Sequence, residues 1–183
     1  TTEVKPADDT IRKMQRFTEG HFHITSFDWS PDGETIAFTH TPTPHWGGYM
    51  EADISTVPAD GGTVKTLVDM EGWNGEVHYS PNGEKIAFTS NGDTKIYPGL
   101  DDTYVIPASG GTPRKLANTP NRDFDIIEWT SGGESVLVSE VSGTSYHIYS
   151  VPANGDAVSQ ISSGEGLYDS PIFGASPDRK SVV

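Results

Sequence analysis

The chain of 183 residues carries 12 Lys and Arg against 26 Asp and Glu, a formal charge of −14, and that balance excludes a protein that works by neutralising nucleic-acid phosphates. It has no cysteine, which removes disulfides, thiolate metal sites and cysteine nucleophiles together. No apolar run approaches the ~20 residues of a membrane-spanning helix, so neither nucleic acid nor membrane is expected as a partner, and the compartment, cytoplasmic or periplasmic, stays open.

In chain order, the segment 10–18 shows only weak helical periodicity through Ile11, Met14 and Phe17. It fits better as an outer strand closing a preceding unit. Next, Phe27-Asp28-Trp29 leads into Ser30-Pro31-Asp32-Gly33 and out through Ile36-Ala37-Phe38. Pro presets φ near about −65° and Gly accepts a positive φ, so the tetrapeptide is a turn joining two short strands, a and b. Beyond a long insertion at 40–52, Ile54 and Val57 lead into Pro58-Ala59-Asp60-Gly61-Gly62, a second turn joining strand c to strand d at 64–68.

The same pattern then recurs. Val77-His78-Tyr79-Ser80-Pro81-Asn82-Gly83 is followed by Ile86-Ala87-Phe88, an insertion at 90–101, and Pro107-Ala108-Ser109-Gly110-Gly111 before a d strand at 113–117. A weaker third copy runs through Ile127-Glu128-Trp129-Thr130-Ser131-Gly132-Gly133 and Pro152-Ala153-Asn154-Gly155 to a d strand at 157–161, and Ala175-Ser176-Pro177-Asp178 opens a fourth. The equivalent positions 31, 81, 131 and 177 are 50, 50 and 46 residues apart. A four-stranded antiparallel meander repeating every 45–50 residues or so is the blade of a β-propeller.

The expected fold is therefore all-β, a partial β-propeller with three complete blades plus parts of two. Residues 1–19 are assigned to a leader and the last strand of a preceding blade, 20–69, 70–118 and 119–162 to whole blades, and 163–183 to the first two strands of another. A propeller hides its strand edges and blade faces by closing a ring. The missing blades are accordingly expected from the same polypeptide or from another chain.

The pairing of Ser-Pro-Asp-Gly-x-x-Ile-Ala-Phe at 30–38 with Asp-Ile-x-x-Val-Pro-Ala-x-Gly-Gly at 53–62 resembles the repeats of two groups: TolB-like propellers, and the N-terminal propellers of prolyl-oligopeptidase-family serine peptidases, among them dipeptidyl and acylaminoacyl peptidases. The long insertions at 40–52 and 90–101 tilt the resemblance toward the peptidases. It implies an α/β-hydrolase catalytic domain with a Ser, Asp and His triad, capped by a propeller that filters peptide substrates. No catalytic residue is expected within this chain. A nucleophile elbow needs Gly-x-Ser-x-Gly, and the near misses at Gly143-Thr144-Ser145-Tyr146-His147 and Gly174-Ala175-Ser176-Pro177-Asp178 lack the second glycine. The alternative is a TolB-like, non-enzymatic propeller that binds a protein partner.

Turns a–b and c–d share one end of a meander, and the longer b–c and d–a connections share the other, where binding residues concentrate. Trp46, Tyr49 and Glu51 in the first b–c insertion and Trp73 in the following d–a connection are the candidates for substrate binding or domain docking. The peptidase resemblance implies that Glu51 could pair with a substrate amino terminus. The competing account is that the aromatics secure their own loop and Trp73 packs between blades, and both stay open at this level. His21, His23 and His45 lack a third ligand at metal-binding spacing, so no metal and no cofactor is expected. Trp29, Tyr79 and Trp129 recur at one strand position, which marks them as blade core.

Overall fold

The computed structural model describes residues 16–92, 100–164 and 166. Its strands follow from the turns. In the first a–b turn Gly33 adopts φ 75°, and Asp32 Oδ1 accepts from the Ser30 hydroxyl at 2.5 Å and from Glu34 N at 2.9 Å. Asn82 repeats both contacts in the second copy. In the third, Gly132 replaces the Asp, and what remains is the bond all three turns share, Thr130 Oγ1 accepting from Ser135 N as the Ser30 and Ser80 hydroxyls accept from Thr35 N and Lys85 N. Each a–b turn is tied to the c–d turn of its own sheet by one bond: Ala59 N to Glu34 O, Ala108 N to Glu84 O and Ala153 N to Glu134 O, at 2.8–2.9 Å.

Three four-stranded antiparallel sheets result, each in simple sequential order. The first comprises β1 (His23–Trp29), β2 (Thr35–Thr41), β3 (Asp53–Pro58) and β4 (Lys65–Val68). The second comprises β5 (Asn74–Tyr79), β6 (Lys85–Ser90), β7 (Asp102–Pro107) and β8 (Arg114–Lys115). The third comprises β9 (Phe124–Trp129), β10 (Ser135–Ser142), β11 (Ser145–Pro152) and β12 (Ser159–Gln160). Neighbouring sheets approach through β1, β5 and β9, which are thus the inner strands. The all-β partial propeller is the observed fold. The outer strand expected at 10–18 and the further blade expected at 163–183 lie largely outside the described residues.

The core sits between blades. Alternation along strand b sends Ile36, Phe38 and their counterparts Ile86, Phe88, Val136 and Val138 to one face, and Ala37 and Ala87 to the other. Ala37, Ile54 and Val68 of the first blade pack against Val77, Tyr79, Ile86, Phe88 and Ile106 of the second. Ala87, Val105 and Leu116 of the second pack against the corresponding face of the third. The small alanine lets the next blade's large side chains approach closely. Polar clamps complete each joint: Tyr79 N donates to Asp28 Oδ2 at 2.7 Å, Trp129 Nε1 to His78 O at 2.9 Å, and the Arg114 guanidinium to Ala153 O.

The large-residue face of the first blade has no blade against it among the described residues. Phe17, Phe22 and Val64 partly cover Ile36, Phe38 and Val57, leaving a groove of about 370 Å³ lined in part by Ile24, Phe27 and Trp29. This corrects one expectation. Tyr79 and Trp129 are core, 9% and 5% exposed, whereas Trp29 is 44% exposed, because each counterpart is covered by the blade before it and no blade stands against Trp29 among the described residues.

The joint makes two opposite substitutions informative. Ala87→Leu, at 0% exposure, should overpack the closed joint and destabilise by about 1–3 kcal/mol, while Phe27→Ala on the open face should cost no more than about 0.5 kcal/mol. Urea denaturation compares the two, and equal costs would contradict the assigned faces.

Candidate functional site

The b–c and d–a connections meet at one end of the blades, opposite the paired turns. Residues Trp46–Glu51 form a short 3-10 helix, entered in extended conformation at His45 and left the same way at Ala52. Gly48 is required there: a Cβ would lie 2.5 Å from Thr43 Oγ1 and 2.6 Å from Thr43 O. This close approach lets Trp46 and Tyr49 pair, with ring centroids 5.7 Å apart at 43°. Trp46 remains 64% exposed, and Glu51 is also exposed.

Trp73 reaches the same end by another route. Its backbone N–H donates to Asn91 Oδ1 at 2.9 Å and its carbonyl accepts from Asn91 N at 3.2 Å, while its ring lies over Gly75, where a Cβ would meet Cζ2 at 2.5 Å. Asn74 joins this connection to the 3-10 helix. Its Nδ2 donates to Ala52 O at 2.9 Å and Met70 O at 2.7 Å, and its backbone N–H also donates to Ala52 O at 3.2 Å. Trp46, Tyr49, Glu51 and Trp73 therefore project from two connections held together by one fully buried asparagine. Sequence reasoning passed over Asn74; its position between Trp73 and Gly75 in a turn-rich connection was the available signal.

A second group lies where the next two blades meet. Glu76 adopts φ 53° at an irregularity in the β5–β6 register, and its Oε2 accepts from Ile126 N of the third blade at 3.0 Å. Burial, above all, pushes Glu76 up to about 8, with the neighbouring Asp125 and Asp101 carboxylates adding to the rise. Burial likewise pushes Asp101 up to about 6, reinforced by Asp123 and Asp102. Asp102 is held by Lys115 Nζ at 2.6 Å and by the Arg122 guanidinium at 2.7 Å. Arg122 sits at φ 57°, a conformation secured by buried Glu140, whose Oε1 accepts from Asn121 N at 2.9 Å and Arg122 N at 2.8 Å.

These residues position loops; none forms a nucleophile–base pair. The near-miss residue Ser145 is buried at the start of β11, and the Ser176 near miss lies outside the described residues. Among the described residues no group of three His, Asp or Glu side chains is arranged to hold a metal.

Sequential four-stranded sheets, joints through their inner strands and paired turns define a segment of a β-propeller, of the kind shared by TolB and prolyl-oligopeptidase-type peptidases. No protein-family model matches the chain. An uncharacterized protein of Agrobacterium fabrum, Atu1656, is 26% identical over 155 residues, covering 85% of this chain and 48% of its own length. Dipeptidyl-peptidase 5 of Aspergillus fumigatus is 25% identical over 142 residues, covering 71% of this chain and 20% of its own length. The chain thus spans about half of one relative and a fifth of the other. Among solved structures, TolB from Acinetobacter baumannii aligns with TM-score 0.60 and 22% identity, over 76% of this chain and 32% of its own. A prolyl endopeptidase aligns with TM-score 0.61 and 16% identity, over 81% and 23%.

Two measurements test these loops. Asn74→Ala should cost about 1–3 kcal/mol in urea denaturation, since it strips donors from buried carbonyls. A carboxyl whose pKa is higher folded than unfolded holds its proton more tightly in the native state, so the Glu76 contribution to stability is full below about pH 4.5 and lost as pH rises toward 8. Glu76→Gln keeps an acceptor for Ile126 N; it should stabilise the protein at pH 8 by roughly 1–2 kcal/mol and flatten the pH dependence of its melting temperature.

Proposed function

We propose that this chain is the non-catalytic propeller segment of a serine peptidase that hydrolyses peptides, where it gates substrate access and docks an α/β-hydrolase catalytic domain lying outside the chain. The observation that carries this reading is the similarity to dipeptidyl-peptidase 5, which extends over 142 residues. The loop end supports it: an exposed aromatic pair, Trp46 and Tyr49, shares a short 3-10 helix with exposed Glu51 on a frame fixed by Asn74. Aromatic surface of this kind suits a domain interface or a peptide backbone, and Glu51 suits a peptide amino group. The groove at Ile24, Phe27 and Trp29 is, in this reading, the seat of another blade, whose alanine-bearing face repeats the joints already seen at Ala37 and Ala87.

A second reading, a non-enzymatic TolB-like module that binds a protein partner, is favoured by the alignment with TolB at 22% identity. The two separate cleanly. A fluorophosphonate serine probe applied to the product of the complete reading frame should label a serine outside residues 1–183, and Trp46→Ala should lower peptide turnover several-fold without preventing labelling. Absence of any labelled serine would reject the peptidase, and labelling within this chain would reject the assignment of catalysis elsewhere.

A further inference from the structure

The third blade departs from the size rule of the two closed joints. Ala37 and Ala87 stand on the strand-b face turned to the following blade, and the residue in register with them on β10 is Leu137, paired with Glu128 of β9 and Ser150 of β11. Val136 and Val138 pack toward the second blade, so alternation turns Leu137 and Ser139 the other way. No sheet stands against that side among the described residues, and no apolar cluster of described side chains includes Leu137. Yet Leu137 is 4% and Ser139 2% exposed, whereas Phe27 on the open face of the first blade is 63% exposed. Something other than the three cores covers them.

The sequence that follows the third blade supplies a cover of matching shape. In the fourth copy the residue before the turn serine is Ala175, where the earlier copies have Trp29, Tyr79 and Trp129. In the closed joints Ala37 clusters with Tyr79 and Ala87 with Trp129. At the third joint the sizes are exchanged, with Leu137 in place of the alanine and Ala175 in place of the aromatic ring. One large side chain per pair fills such an interface, whereas two would overpack it and two small ones would leave a void. Phe173 and Val182 fall in register with Val77 and Ile86, which pack toward the first blade. Glu128 stands where Asp28 stands in the first blade, and Asp28 Oδ2 accepts from Tyr79 N across the joint at 2.7 Å.

We propose that residues 172–183 of this same chain seat on the outward face of the third blade as the inner hairpin of the next one, in an inverted joint where Leu137 fills the space left by Ala175. Glu128 then accepts from the main-chain N–H of Ala175 as Asp28 accepts from that of Tyr79. The inverted pair also makes this joint selective: a blade bearing an aromatic ring at the Ala175 position would collide with Leu137, so the second and third blades cannot take the place of the fourth. The assignment holds whether the whole protein is a peptidase or a binding module.

The chain has no cysteine, so single introduced thiols report on the face. In the full chain, maleimide should label Leu137→Cys at least about tenfold more slowly than Ser131→Cys in the exposed turn. Phe173→Asp together with Val182→Asp should raise the Leu137→Cys rate about tenfold, while Ala87→Cys in the closed joint stays protected in the same background. A second measurement needs no thiol: Leu137→Ala and Ala175→Tyr should each lower the urea midpoint, and together they should restore most of the loss, because they rebuild the pairing of Ala37 with Tyr79. Labelling of Leu137→Cys as fast as Ser131→Cys, protection unchanged by the two aspartates, protection that rises with protein concentration as a second copy would require, or additive losses in the exchanged pair would each overturn the proposal.

Discussion

The architecture depends on a size mismatch between the two faces of strand b. Ala37 and Ala87 present almost nothing, so Ile86, Phe88, Val136 and Val138 of the following blades can seat against them at interior packing density. Reversing the sizes, or equalising them, would push the inner strands apart and misplace everything that spans a joint. The polar clamps at Asp28, His78 and Glu76 rely on that spacing, since hydrogen bonds of 2.7–3.0 Å tolerate little separation.

The two ends of the blades use the joints differently. At the turn end the backbone is repetitive, and individuality comes from single side chains on the inner strands. At the loop end the backbone itself varies, and buried polar groups hold it. Asn74 and Glu140 each satisfy several main-chain groups in connections that lack a regular ladder, which is how irregular segments keep their polar atoms paired away from water. Crowding Glu76, Asp101 and Asp125 together at a joint carries an electrostatic cost, relieved when one of them holds a proton.

The sequence made the blades legible because Pro, Asp or Asn, and Gly at fixed offsets dictate turn geometry locally, and the apolar runs on either side need only alternate. Outer strands were less legible. Segments 113–117 and 157–161 shorten to Arg114–Lys115 and Ser159–Gln160, since an outer strand pairs on one side only and Pro113 has no N–H to contribute. Trp46, Tyr49 and Glu51 were recognisable as unusual residues in a long insertion, yet their mutual placement was not, because it depends on the close Gly48–Thr43 contact. Asn74, Glu76 and Glu140 act across connections or joints, and no local pattern announces a partner 18 to 50 residues away.

The central claim is that the exposed face of the first blade is half of a blade joint like the two that are closed. Hydroxyl-radical footprinting of residues 1–183 and of the product of the complete reading frame, read by mass spectrometry at Phe27, Trp29 and Trp46, tests it directly. The account predicts that Phe27 and Trp29 are oxidised in the isolated chain and protected to the level of Tyr79 and Trp129 in the complete protein. Oxidation of Trp29 to the same extent in both would contradict it.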